Sequence, residues 1–89
     1  MSTDARRRLV ELLRTAAAYN DKGYLWCRHD EAQVLRYRQG VQETIVKLVA
    51  EIGEQAFSQA LLERLLSGEA ASDWSGAIYS QAKQELDQP

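Results

Sequence analysis

Residues Glu31 to Ile52 read EAQVLRYRQGVQETIVKLVAEI, and the way apolar side chains recur within this stretch decides the fold. Val34, Val41, Ile45, Leu48 and Ile52 follow one another at intervals of seven, four, three and four. In a helix those intervals collect the side chains on one face, whereas in a strand they would scatter over both. Leu35, Val46 and Val49 are expected to widen the stripe. At ~1.5 Å per residue the helix is roughly 33 Å long, the diameter of a small domain, so the other segments must lie along it.

Two residues interrupt the pattern. Gly40 in mid-helix costs about 1 kcal/mol relative to Ala, which suggests that another backbone or a bulky side chain approaches closely there. Arg38 falls between Val34 and Val41, where the expected arrangement is a long side chain lying along the rim of the core with its head in water. On the opposite face Glu43, Lys47 and Glu51 alternate in sign four residues apart, the mark of a solvated helix surface.

Upstream, Asp4 is the expected N-cap of a first helix over about 5–19, whose inner face carries Leu9, Leu12, Leu13, Ala16 and Tyr19. Its outer face holds Arg7, Glu11 and Arg14, with an oppositely charged pair at i and i+4. Arg6, Arg7 and Arg8 stand in the first turn, against the positive end of the helix dipole. Asn20 to Gly23 reads as a turn, because Asn and Asp bond their own backbone and Gly accepts positive φ. Tyr24, Leu25, Trp26 and Cys27 then form an apolar patch within a connection, placed either as a plug over the helices or as a surface for a partner. Asp30 is the expected cap of the central helix.

Downstream, Gly53 breaks the helix, and Phe57, Ala60, Leu61, Leu62, Leu65 and Leu66 describe a third helix over about 54–67, stopped by Gly68. Residues 69–72 read as a short link. Asp73 caps a weaker fourth helix over about 74–86, defined by Trp74, Ala77, Ile78, Ala82 and Leu86. No repeat and no Gly/Ser-rich or Pro-rich linker divides the chain. The expected fold is therefore all-α, a single helical domain over residues 1–89 with three main helices and a short C-terminal fourth.

Composition narrows the function. A chain of 89 residues buries only ~60 to 65% of the surface its unfolded form exposes, so a partner or a second copy would add stability. The net charge of −2 divides unevenly, with eight Lys and Arg against five Asp and Glu in residues 1–38 (+3), and three against eight in residues 39–89 (−5). Such an asymmetry suits either an anionic partner for the basic part or attraction between the two parts. A lone cysteine and no leader of the secretory kind point to a reducing, cytoplasmic setting, and no apolar run approaches the ~20 residues of a membrane span.

Catalytic and metal chemistry find little support. Cys27 and His29 are two candidate ligands where structural zinc takes four. The His29–Asp30 dipeptide resembles that of the HD phosphohydrolases, but one histidine cannot assemble that family's metal-binding set. The five glycines are isolated at 23, 40, 53, 68 and 76, so no phosphate-binding loop is present. Neither enzyme activity nor a cofactor is expected. The expected role is protein–protein association, as a small regulatory, adaptor or inhibitor protein acting as a homodimer. Trp26, Tyr37, Arg38, Gly40 and Trp74 are the contact candidates, since aromatic residues and Arg dominate binding hot spots. One alternative is a nucleic-acid-binding regulator using Arg6, Arg7, Arg8 and Arg14, set against a pI of about 5.3 and a connection too long for a helix-turn-helix. A second, by analogy of size and simplicity, is a phage-type inhibitor of a host enzyme or defence complex.

Overall fold

A computed structural model describes residues 3–23 and 31–86, and within them the chain is all-α. The helices are α1 (Thr3–Ala18), α2 (Glu31–Ile52), α3 (Gln59–Leu66), α4 (Glu69–Ser72) and α5 (Ala77–Leu86). A π-helical turn, Tyr19–Gly23, follows α1, and a 3-10 turn, Glu54–Ala56, precedes α3. The bundle measures 39 × 22 × 20 Å, with a long axis that accommodates the length of α2. No helix among the described residues is long and apolar enough to cross a membrane.

The α2 stripe is the spine of the core. Val34, Val41, Ile45, Leu48 and Val49 are buried, and all but Val34 join one cluster with Leu9, Leu13 and Ala16 of α1, Leu61 and Leu65 of α3, Ala70 and Ala71 of α4, and Ile78, Ala82 and Leu86 of α5. Tyr37, Leu12, Leu62 and Ile52 pack half-buried against its edges. The small side chains at 16, 70, 71 and 82 let helices approach without forcing larger neighbours off their rotamers.

Several boundaries differ from those expected. Helix α1 begins at Thr3, so Asp4 lies inside its first turn, where its carboxylate meets Arg8 Nε at 3.4 Å instead of capping. Glu11 pairs with Arg14 at i+3 and not with Arg7 at i−4. The single helix expected over 54–67 is a 3-10 turn followed by a fresh start. Ser58, in extended backbone, accepts the Leu61 N–H through Oγ at 3.2 Å and so opens α3 at Gln59. The expected link at 69–72 is instead the one-turn helix α4. Gly68, at φ +95°, supplies the left-handed residue that ends α3 and immediately lets the next turn begin. Helix α5 starts at Ala77, three residues later than expected, because Asp73 closes a loop before it. Its Oδ1 accepts from Ser75 N and Oγ, and its Oδ2 accepts from Gly76 N at 3.1 Å and Ile78 N at 3.4 Å. Trp74 therefore stands outside the helix and outside the core. Ala77 is likewise exposed, as are Leu35, Val46, Ala60 and Leu66, all of which the apolar pattern assigned to the interior.

Candidate protein-binding surface

Asn20 organises one end of the bundle. It is 3% exposed, and all of its amide is used. Nδ2 donates to the carbonyls of Ala71 and Asp73, both at 2.9 Å, and Oδ1 accepts from Arg38 Nε at 2.9 Å. One side chain thus joins the turn after α1 to α2 and to the loop after α4. A buried amide satisfied on both sides fixes a single arrangement, since any other leaves polar groups unpaired. Next to Asn20, Tyr19 stacks on Tyr37 with ring centroids 3.8 Å apart. Burial, then the neighbouring Tyr19, push the Tyr37 hydroxyl above the ordinary phenol range, so it is neutral at physiological pH.

Three of the contact candidates meet at this end. Tyr37 is half-buried on the α1 side of α2. Arg38 is half-buried at the rim, as expected for a snorkelling side chain, and Asn20 holds its Nε in place. Trp74, directly after the Asp73 carbonyl that Asn20 grips, is 67% exposed. Gly40 lies one turn beyond Tyr37, and its expected close neighbour does not exist: a Cβ built there meets nothing within 4 Å. The residue instead lines an open hollow of about 320 Å³ with Leu12, Tyr37, Val41 and Thr44. A second hollow of about 290 Å³, lined by Arg8, Glu11, Leu12, Thr15, Thr44 and Leu48, shares Leu12 and Thr44 and extends the groove along the α1–α2 interface. Trp26, with the apolar patch of residues 24–27 and the Cys27, His29 and Asp30 cluster, lies outside the described residues.

The four arginines weighed for nucleic acid do not form one free cationic stripe. Arg8 donates to Glu51 Oε2 at 2.8 Å and also pairs with Asp4, and Arg14 pairs with Glu11. Arg6 is half-buried and Arg7 exposed. On α2, Arg36 and Arg38 are two residues apart and so point to different sides of the helix. Among the described residues, no group of three His, Cys, Asp or Glu side chains is placed to hold a metal ion.

The structure adds a surface that the sequence pattern had assigned to the core. Along the flank of α2 away from α1 lie Leu35, 54% exposed, and Val46, 46% exposed, with Gln42 between them. Gln42 Nε2 donates to the Leu65 carbonyl at 3.0 Å and so marks the seam between α2 and α3. On α3, Arg64 turns toward α5, where its Nη1 donates to Gln81 Oε1 at 3.1 Å. Leu62 and Leu66, two residues to either side of Arg64, lie on a different side of α3. Leu66 is 43% exposed. Leu35, Val46, Leu66 and Trp74 are the large exposed apolar side chains among the described residues. Arg38, one turn after Leu35, connects the seam to the Asn20 end and Trp74. The sequence carried one signal of this surface: Leu35, Val46 and Leu66 lie at the margin of their apolar stripes, one residue from Val34, Ile45 and Leu65.

No family model, curated protein or solved structure matches the chain.

Proposed function

We propose that this protein is a small, non-catalytic protein-binding module, an adaptor, regulator or inhibitor, whose contact surface runs from Trp74 and Arg38 along the α2–α3 seam. The observation that carries this reading is the placement of Trp74. Its indole is mostly in water, while the carbonyl immediately before it is tied to buried Asn20. An exposed aromatic side chain on a backbone anchored in this way has little freedom to lose on binding, which is the economy that makes Trp and Arg frequent hot spots. The exposed Leu35, Val46 and Leu66 extend that anchor into an apolar strip, a feature that in small proteins marks an interaction surface.

Affinity capture from the native host, run in parallel with the wild type, Trp74→Ala and the triple variant L35S/V46S/L66S, tests the reading. A partner retained by the wild type and lost by both variants, each with an unchanged helical circular dichroism spectrum, is the expected result. Undiminished capture by both variants rules this surface out.

A further inference from the structure

We infer that the outer face of α2 pairs with the same face of a second copy of this chain, the two helices running antiparallel about a twofold axis at the level of Gly40 and Val41. This inference rests on the reading of Leu35 and Val46 as contact residues and names what covers them.

The pattern of that exposed face is the argument. At about 100° per residue, Ala32, Leu35, Gln39, Gln42, Val46 and Ala50 fall within about 80° of one another around α2. All are exposed except Gln42, which is half-buried, and none carries a charge. They are also arranged alike when read from either end. Leu35 lies five residues before Gly40 and Val46 five after Val41, Gln39 and Gln42 lie one before and one after, and Ala32 and Ala50 lie eight before and nine after. A twofold axis that turns the helix end for end therefore sets Leu35 level with Val46 of the second copy, amide with amide beside the axis, and alanine with alanine at the ends. An isologous interface requires a surface that is its own complement in this way. The six residues span roughly 27 Å of helix, and no aromatic side chain stands among them to hold the axes beyond the usual separation of about 8–10 Å.

The charged residues that border the face carry both signs, so they favour neither a basic nor an acidic partner, but they do select a direction. Glu43 and then Arg36 follow at one edge, with Lys47 further round, and Glu31 and Arg38 stand at the other, where Asn20 holds Arg38. Neither Arg36 nor Glu43 takes part in the ion pairs among the described residues. Parallel copies would set Glu43 against Glu43 and Arg36 against Arg36. The antiparallel arrangement keeps each edge beside its own counterpart and brings Arg36 of one copy within two residues, about 3 Å along the axis, of the level of Glu43 of the other. Each dimer thus gains two opposite-charge pairs. A contact made by one pair of helices is a small interface, and the association it supports is correspondingly weak.

Light scattering of the full chain tests the inference on the wild type, L35S/V46S, E43R, R36E and an equimolar mixture of E43R with R36E. The wild type is expected to dimerise at high micromolar concentration, and L35S/V46S to remain monomeric throughout. E43R sets like charges together twice in each dimer and is expected to associate about tenfold more weakly. In the mixture both opposite-charge pairs return in the mixed dimer, so association is expected to be tighter than for either variant alone. Circular dichroism checks that each variant is folded, and recovery on mixing is a result that a misfolded variant cannot give. A wild type that is monomeric at every concentration overturns the inference, as does a dimer that L35S/V46S leaves intact. A dimer lost in L35S/V46S but not recovered on mixing E43R with R36E overturns the antiparallel pairing. None of these results decides the reading of the wider contact surface, which the capture experiment with Trp74→Ala and L35S/V46S/L66S decides by itself.

Discussion

At the scale of single residues, Asn20 and Gly40 show how differently a polar and a small residue earn their places. Asn20 offers two donors to two carbonyls and one acceptor to a guanidinium, so its replacement strands groups on three segments. Asn20→Ala is expected to cost about 2–3 kcal/mol, read as a lower urea midpoint with unchanged slope. Asn20→Asp is expected to be no better, because a carboxylate set against two carbonyls has no proton to give them at neutral pH. Gly40 is the opposite case. With open space where its Cβ would sit, Gly40→Ala is expected to stabilise the fold by about 1 kcal/mol. Thermal melting should then rise by roughly 4–8 °C for a domain of this size. A lower melting temperature would mean that the helix needs glycine there for a reason inside the fold.

At the scale of elements, the break between α2 and α3 is the most informative departure from the apolar pattern. Periodicity alone ran a helix from Glu54 through Ser67. Ser58 starts it anew because a group distant in sequence pays attention to its backbone: Glu85 of α5 accepts Ser58 N–H at Oε1, 3.1 Å, and Ser58 Oγ–H at Oε2, 2.8 Å. Burial is the largest single influence on Glu85 and raises its pKa. The Ser58 backbone and hydroxyl, with the Gln81 amide, together outweigh it and hold the carboxyl below the ordinary carboxylate value. A carboxyl lowered on folding contributes stability that is present above its unfolded pKa and is lost as pH falls through the folded one. Stability is therefore expected to decline on acidification below about pH 4.5, where unfolded glutamate titrates. Glu85→Gln should flatten that decline in denaturant titrations from pH 6 to pH 3, and an unchanged pH profile would remove Glu85 from the clamp.

At the scale of the whole molecule, the core and the seam should respond to substitution in opposite ways. Leu9, Ile45, Leu61 and Leu65 are fully enclosed, and Leu61→Ala or Leu9→Ala is expected to cost about 2–5 kcal/mol, enough to leave so small a domain partly unfolded at 37 °C. Leu35→Ser, Val46→Ser and Leu66→Ser, at exposed positions, should each change stability by no more than about 0.5 kcal/mol in chemical denaturation. A large loss at these three would make them structural and withdraw them from the contact surface. The uneven charge of the chain is partly spent inside the fold, where Arg8 of α1 bridges to Glu51 at the far end of α2. It is an exposed bridge, so it orients the two helices more than it stabilises them.

The sequence by itself determined the helical class, the central helix from Glu31 to Ile52, the buried set Val34, Val41, Ile45 and Leu48, and the stops at Gly53 and Gly68. Each of these follows from a local rule: the 3.6-residue period chooses the face, and glycine alone accepts positive φ without strain. Only the tertiary structure decided that Leu35, Val46 and Leu66 are exposed, that Trp74 stands outside a helix, and that Asn20 ties Arg38 to the carbonyl before Trp74 at the end where Tyr19 stacks on Tyr37. Periodicity gives the direction in which a side chain points, but the width of the buried stripe depends on how many neighbouring helices cover it. Along the α2–α3 seam that cover stops one residue short of the apolar pattern, and the uncovered margin is the surface on which the proposed function rests.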